Sequence, residues 1–180
     1  AYFAKKDDLL PIQDYNQVLR LNPNSASAYA GRGGVYLRKD DIDRAIADFN
    51  RALELDPKLA LGYVGRGGAY TNKKNFEQAI QDYNQAVRLQ PNFAPYLAGR
   101  GNAYFQKNDF ERAMRDFDQA LQIDPNLALA YVGRGLVYFG KQNYDRAIDD
   151  YNQALRLNPN DIDSYLNRAW AYQARKEHNR

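Results

Sequence analysis

Apolar and small residues recur along this chain with a fixed spacing of 34 residues. In residues 26–59 the first stretch places Tyr29, Gly33 and Tyr36 on one face of a helix, at i, i+4 and i+7. A polar turn follows at residues 39–41. The next stretch carries apolar residues at the spacing of an amphipathic helix, namely Ile42, Ala45, Ile46, Phe49, Ala52 and Leu53. The pattern predicts a helix, a turn and a second helix.

Prolines divide the chain at the same 34-residue interval, at Pro23, Pro57, Pro91, Pro125 and Pro159. Each follows an apolar residue and a polar one, which is a common way for a helix to end, because proline cannot continue it. A fixed period in this range indicates a solenoid of stacked repeats rather than one closed core. The predicted N-caps of the second helices are Asp41, Asn75, Asp109 and Asn143.

In this register the chain holds four whole repeats between two partial ends. The whole repeats, named repeats 1 to 4, cover residues 26–59, 60–93, 94–127 and 128–161. Residues 1–25 supply the second helix of a partial repeat, which we expect to begin at Pro11. Residues 162–180 supply a capping helix that frays into a polar tail from Arg175. Because Ala1 falls inside a repeat, we expect this chain to be a fragment or a processed piece.

The recurring positions of repeat 1 are Tyr29, Gly33, Tyr36, Ala45, Phe49, Ala52 and Pro57. They recur fully in repeats 2 and 4, whereas Leu97 replaces the first aromatic residue of repeat 3. This pattern resembles the tetratricopeptide repeat (TPR). The resemblance implies an all-α solenoid of stacked antiparallel helix pairs, wound as a right-handed superhelix. It also implies a non-catalytic protein–protein interaction scaffold, which binds a peptide or helical segment of another protein in its concave groove.

The composition of the chain excludes several classes of function. The net charge is +3 with acidic and basic residues interspersed, so neither a nucleic acid nor a membrane is an expected partner. There are no cysteines, which excludes disulfides and thiol chemistry, and the one histidine, His178, lies in the tail. The glycines at residues 31–34 fall inside a predicted helix and so form no phosphate loop. We therefore expect no catalysis, no metal and no cofactor.

The inner face of the first helices is the expected peptide-binding groove. Its amino-terminal part carries mostly glycine and other small residues, whereas its carboxy-terminal part carries large apolar side chains. Exposed apolar side chains on the concave side suggest that the carboxy-terminal part is a docking site. Alternatively, Trp170 and Leu136 pack together beneath the last helix. The predicted groove residues are Ala30, Gly31, Gly34, Val64, Gly65, Gly68, Gly99, Asn102, Phe105, Gly133, Leu136, Phe139 and Trp170.

Glycines recur at two places inside the first helices, where each costs roughly 1 kcal/mol relative to alanine. One set is expected to face the small alanines of the second helix: Gly33, Gly67, Gly101 and Gly135. The other set lies about 200° away around the helix: Gly31, Gly65, Gly99 and Gly133. This second set either lets neighbouring helices pack closely or leaves room for a ligand, and we favour packing.

An arginine recurs in every first helix and an aspartate in every second helix. A buried arginine without a partner is costly, so the two series imply ion pairs. Pairing within each repeat would leave Asp14 and Arg168 without partners. We therefore predict pairs between successive repeats, which are Arg32–Asp14, Arg66–Asp48, Arg100–Asp82, Arg134–Asp116 and Arg168–Asp150.

Two other functions stay open. The partial ends present apolar residues, among them Val18 at one end and Tyr165 and Tyr172 at the other, so copies could join head to tail as a self-assembling homo-oligomer. Capping of both ends, with Lys5 and Lys6 at one of them, is the competing interpretation and the one we favour. The chain could also be the regulatory TPR array of a larger enzyme.

Overall fold

A computed structural model of the protein describes residues 9–178 and the side chains of residues 10–177. This part of the chain is all-α, as predicted, and holds ten helices without a strand. In chain order they are α1 (Leu9–Leu21), α2 (Ala26–Arg38), α3 (Ile42–Leu55), α4 (Ala60–Asn72), α5 (Phe76–Leu89), α6 (Ala94–Gln106), α7 (Phe110–Ile123), α8 (Ala128–Gly140), α9 (Tyr144–Leu157) and α10 (Ile162–His178).

The helices form two compact halves, one ending at Pro91 and the other starting at Asn92. In the amino-terminal half α2 pairs with α3 and α4 with α5, while α1 packs on α2 and α3 on α4. In the carboxy-terminal half α6 pairs with α7 and α8 with α9, while α10 packs on α9. First helices also contact each other within a half: α2 contacts α4, and α8 contacts both α6 and α10. Each half is therefore a stack of helix pairs.

The second helices begin at the predicted N-caps. The side chains of Asp41, Asn75, Asp109 and Asn143 each accept a hydrogen bond from the backbone N–H three residues later. Such a bond satisfies one of the N–H groups that the start of a helix leaves without a partner. In two repeats an arginine of the same turn adds side-chain hydrogen bonds, and these lower the pKa of the Asp41 and Asp109 carboxyls. The predicted caps are confirmed.

The turn inside each whole repeat contains one residue with left-handed backbone. Its φ lies between 58° and 62° at Asp40, Lys74, Asn108 and Gln142. This conformation ends the first helix, since the next N–H can then bond back to a carbonyl of the last turn, as Asp41 does to Tyr36 at 2.9 Å. None of the four residues is glycine, which adopts this backbone at the least cost.

An aromatic ring of each second helix packs against glycines of the first helices. Phe49 is only 2% exposed. A Cβ added at Gly33 of the same repeat would lie 3.1 Å from its ring, and one added at Gly65 of the next repeat would lie 2.2 Å from it. Equivalent contacts join Gly31 to Tyr15, Gly67 to Tyr83, Gly101 and Gly133 to Phe117, and Gly135 to Tyr151.

These rings bear on the expectations for both sets of glycines. The set that includes Gly33 faces an aromatic ring more than the small alanines, although the Ala45 carbonyl would also lie 3.2 Å from a Cβ at Gly33. Gly31, Gly65 and Gly133 lie against the ring of the preceding second helix, so the favoured prediction that this set packs between helices is confirmed for these three. Their assignment to an open groove is therefore wrong, because an aromatic side chain is long enough to reach the next repeat.

The arginine–aspartate pairs form within repeats. Arg32 donates through Nε and Nη2 to the two carboxylate oxygens of Asp48, both at 2.7 Å. The same two-bond contact joins Arg66 to Asp82, Arg100 to Asp116 and Arg134 to Asp150. The predicted pairs are therefore wrong, namely Arg32–Asp14, Arg66–Asp48, Arg100–Asp82, Arg134–Asp116 and Arg168–Asp150.

The third guanidinium nitrogen makes the contact between repeats, and its partner lies two residues after the predicted aspartate. Arg32 Nη1 donates to Asn16 and Arg66 Nη1 to Asn50, both at 2.7 Å. The corresponding pairs in the carboxy-terminal half are Arg134 with Asp118 and Arg168 with Asn152. Residues two apart on a helix point about 200° from each other. One of them therefore faces its own first helix, and the other faces the next repeat.

Both ends differ from the prediction. Helix α1 already includes Leu9, so Pro11 is not its first residue; proline is accepted near a helix start, where N–H groups have no intrahelical partner. Helix α10 continues to His178, so the predicted tail is helical up to there. Arg175 bonds to Asp145 at 2.9 Å, which fixes this last stretch on α9. The lysines predicted to cap the amino-terminal end, residues 5 and 6, lie outside the described part of the chain. No helix within residues 9–178 has the length and apolar character needed to cross a membrane.

Candidate protein-docking surface

The first helices of the carboxy-terminal half share a surface that follows from their helical register. Positions spaced i, i+3, i+7 and i+10 lie on one side of a helix. In α6, α8 and α10 these positions hold Pro95, Ala98, Asn102 and Phe105, then Leu129, Val132, Leu136 and Phe139, then Asp163, Leu166, Trp170 and Gln173. This set is named the α6/α8/α10 face. It contains one charged residue, Asp163, and Ala98 is buried beneath it.

Large apolar side chains of this face are exposed on two of its helices. Leu129 is 57% exposed, Leu166 47% and Trp170 57%. Apolar surface in water costs roughly 25 cal/mol per Å², so its burial beneath a ligand is favourable. Exposed apolar side chains that cluster on one surface often mark interaction sites. Because Trp170 is more than half exposed, it does not pack away beneath the last helix.

Two phenylalanines of this face are held by aromatic residues of the second helices. The ring centroids of Phe105 and Phe110 lie 5.7 Å apart, and those of Phe139 and Tyr144 lie 5.5 Å apart. Both phenylalanines are partly buried, as is Leu136, whereas Asn102 is exposed. The phenylalanines therefore form a fixed base, while the exposed side chains project from it.

The predicted groove residues of the amino-terminal half offer much less surface. Ala30 is 3% exposed and belongs to a buried apolar cluster, so its place in the groove is wrong. Val64 and Gly68 are partly buried, and a Cβ at Gly68 would touch Leu37 at 3.5 Å. A Cβ at Gly34, in contrast, would have no neighbouring atom within 4 Å. Gly99, in the carboxy-terminal half, is partly buried too.

Sequence reasoning missed Leu129 and Leu166, which are among the most exposed apolar residues of the face. Both precede predicted groove residues on the same side of their helices, Leu129 seven residues before Leu136 and Leu166 four before Trp170. Extending the predicted face by one or two turns toward the helix starts would have found them.

Two of the three recurring arginines of this half, Arg100 and Arg134, add no free positive charge to it. Arg100 and Arg134 are bonded to Asp116 and Asp150, each 5% exposed, and these hydrogen bonds raise the pKa of both guanidinium groups. Burial raises the pKa of Asp150, an effect that Arg134 opposes. An ion pair this buried serves packing rather than recognition of an acidic ligand.

Comparison with known families identifies the class of protein. The profile described as Tetratricopeptide repeat matches residues 26–59, 60–93 and 128–161, more than half of the chain. Two further TPR profiles match residues 101–142 and 150–180. The chain belongs to the tetratricopeptide repeat family. A search of the curated proteins finds no match.

Solved structures agree with this assignment. A thermophilic TPR protein of Thermus thermophilus is 21% identical, with a TM-score of 0.81 over 96% of this chain and 94% of that one. MamA is 25% identical, with a TM-score of 0.69 over 81% of this chain and 85% of its own. YrrB, described as a TPR protein with an unusual peptide-binding site, is 20% identical, with a TM-score of 0.67 over 90% and 84%. The predicted all-α TPR solenoid is confirmed.

Family and fold together support a role as a protein-interaction scaffold. TPR proteins are generally interaction modules without catalytic activity, and they generally bind other proteins.

Proposed function

We propose that the chain is a protein-interaction scaffold whose α6/α8/α10 face binds an apolar, largely uncharged peptide segment of a partner protein. The observation that supports this most is the exposure of Leu129, Leu166 and Trp170 on one face. A tryptophan that becomes buried at the centre of an interface commonly contributes a large share of the binding energy. The partly buried rings of Phe105 and Phe139 supply a base against which the peptide can pack.

The polar residues of the face favour an uncharged ligand. Asn102 and Gln173 are exposed and can both donate hydrogen bonds to a peptide backbone and accept them. A ligand with several charges would find Asp163 as its one charged counterpart within the face, and charges desolvated without a partner are costly. Similarity to YrrB, which is described as having a peptide-binding site, is consistent with peptide binding on this fold.

Selection from a random peptide library tests the proposal without a known partner. Peptides displayed on phage are enriched on the wild-type protein, and their affinity for Trp170→Ala is then measured. We expect the enriched peptides to be apolar and to change the fluorescence of Trp170, the sole tryptophan. Leu129→Ala should weaken their binding at least about tenfold, which corresponds to about 1.4 kcal/mol.

Leu61→Ala is the matched control. Leu61 occupies the same place in repeat 2 as Leu129 does in repeat 4, and their exposed fractions are 58% and 57%. It lies in the amino-terminal half, so its replacement should leave the affinity unchanged. Peptides that bind the Trp170 and Leu129 variants as tightly as wild type, or that are rich in charged residues, would show that this face is not the site.

A further inference from the structure

The hydroxyl of Tyr151 is a buried polar group without a partner. Tyr151 is 0% exposed, and its oxygen has no hydrogen-bond partner within the described part of the chain. Buried polar groups of folded proteins are nearly always hydrogen-bonded, so an exception calls for an explanation. Packing does not supply one, because phenylalanine fills the same place in repeats 1 and 3, where Phe49 and Phe117 are 2% and 1% exposed.

Repeat 2 shows where a hydroxyl at this place lies. The tyrosine of that repeat is Tyr83, and its oxygen would lie 3.8 Å from a Cβ added at Gly68. The same hydroxyl interacts with the side chain of Thr71. Gly68 and Thr71 lie three residues apart on one side of α4, and their counterparts in α6 and α8 belong to the α6/α8/α10 face. The hydroxyl therefore points to the side of the first helix that carries this face.

In repeat 4 the two corresponding places of the first helix hold Leu136 and Phe139. Neither side chain has a polar atom, so neither can bond to the hydroxyl. Both residues are partly buried members of the face, and Phe139 packs against the buried cluster that contains Tyr151 and Ala171. The Tyr151 hydroxyl therefore lies directly beneath the α6/α8/α10 face, covered by apolar side chains.

We propose that Tyr151 is a binding residue of this face, whose hydroxyl donates a hydrogen bond to a backbone carbonyl of the bound peptide and so sets the register of that peptide. The inference rests on the proposed function. An apolar peptide brings few polar side chains, but each of its residues carries a carbonyl that needs a donor once it leaves water. Burial raises the pKa of Tyr151, so the hydroxyl stays protonated, and hence a donor, into the alkaline range.

Access to the hydroxyl requires one side chain to move. Leucine has several staggered rotamers, so a change of rotamer at Leu136 can uncover the hydroxyl and bring the displaced side chain against an apolar ligand. Phe139 is held in place, because its ring centroid lies 5.5 Å from that of Tyr144. Leu136 is therefore the side chain that makes way for the peptide.

Binding of the selected peptides to Tyr151→Phe in the full chain tests the inference. The substitution should weaken binding about fivefold, which is the effect of one neutral hydrogen bond, while it makes the fold more stable. A role in packing alone would change affinity and stability in the same direction. Tyr83→Phe is the matched control, because it removes the corresponding hydroxyl of repeat 2, and it should leave the affinity unchanged.

Ester analogues of the tightest-binding selected peptide locate the carbonyl. Each analogue replaces one backbone amide by an ester, whose carbonyl is a weaker acceptor. At one position the replacement should weaken binding to the wild-type protein much more than binding to Tyr151→Phe, whereas equal losses in both proteins at every position would overturn the inference.

The same measurements separate this inference from the proposed function. Selected peptides that depend on Trp170 and Leu129, yet bind Tyr151→Phe as tightly as wild type, would overturn the inference and leave the proposed function intact. A selection that yields no peptide dependent on those two residues would overturn both.

Discussion

Arg66 and Asp82 meet through two parallel hydrogen bonds, Nε to Oδ2 at 2.8 Å and Nη2 to Oδ1 at 2.7 Å. The remaining terminal nitrogen, Nη1, donates to Asn50 of the preceding repeat. One guanidinium therefore ties the two helices of its own repeat together and also joins that repeat to its neighbour. The planar group suits this use, because its donors point in fixed directions.

Separate substitutions of the two partners should show that the bond within the repeat is the stronger. Asp82→Asn removes the charge beside a partly buried arginine and should lower the free energy of unfolding by about 2–3 kcal/mol, less than a fully buried pair because water reaches Arg66. Asn50→Ala leaves the ion pair in place and should cost about 1 kcal/mol. Urea unfolding followed by circular dichroism measures both. A larger loss for Asn50→Ala would reverse the ranking.

The sequence predicted those features that depend on a few neighbouring residues. Asp41 caps its helix through a backbone N–H three residues away, so its role follows from local spacing. The partner of Arg32 does not follow from local spacing. Asp14 and Asp48 are both distant from it in sequence, and only the rotation of the helices decides between them. The counting argument that favoured Asp14 assumed that every charge must be paired within one chain.

The docking surface could be predicted only as far as the pattern within a single helix determines it. The one-sided pattern of α8 and α10 placed Leu136 and Trp170 on a common face. It did not reveal which side chain covers Gly65, because the ring that covers it belongs to Phe49 of another repeat. Burial by a neighbouring repeat depends on how far a side chain of that repeat extends across the stack. The apolar pattern of a single helix does not show this.

Two glycines of the first helices should respond to alanine in opposite directions. A Cβ at Gly65 would lie 2.2 Å from the Phe49 ring, so Gly65→Ala should cost about 1–3 kcal/mol through overpacking. Gly34 has open space around it, so Gly34→Ala should stabilise the protein by about 0.5–1 kcal/mol through helix propensity. Thermal unfolding of both variants gives the test. Equal effects would mean that propensity, not the ring contact, decides both positions.

The left-handed turn residues offer sites for stabilisation. Gln142 has φ of 58°, which a side chain with a Cβ adopts at a cost, so Gln142→Gly should raise the free energy of unfolding by about 0.5–1 kcal/mol. Asn108 has φ of 62°, but asparagine tolerates this backbone, so Asn108→Gly should gain less. Chemical denaturation measures the difference. A loss of stability in Gln142→Gly would show that the greater entropy of glycine in the unfolded chain prevails.

The hydroxyl of Tyr151 should destabilise the folded state. Its oxygen is buried without a hydrogen-bond partner among the described residues, and the side chain is 0% exposed. Tyr151→Phe should therefore stabilise the protein by about 1 kcal/mol. Tyr83, at the same place in repeat 2, interacts with the Thr71 side chain, which opposes the rise of its pKa on burial, so Tyr83→Phe is the matched control and should be destabilising. Melting temperatures of the two variants that shift in the same direction would contradict this account.

Stability at alkaline pH should depend on the same hydroxyl. Burial raises the pKa of Tyr151 above its ordinary value, so the folded state holds this proton more tightly than the unfolded state does. As pH rises past about 10, the tyrosine of the unfolded chain ionises first, which favours unfolding. The stability advantage of Tyr151→Phe should therefore be constant below that pH and grow above it, by up to about 1.4 kcal/mol per pH unit. Tyr83 is present in both proteins, so its own raised pKa cancels from the comparison. Urea unfolding of the two proteins at a series of pH values measures the difference, and parallel curves across the alkaline range would show that Tyr151 ionises as readily in the folded chain.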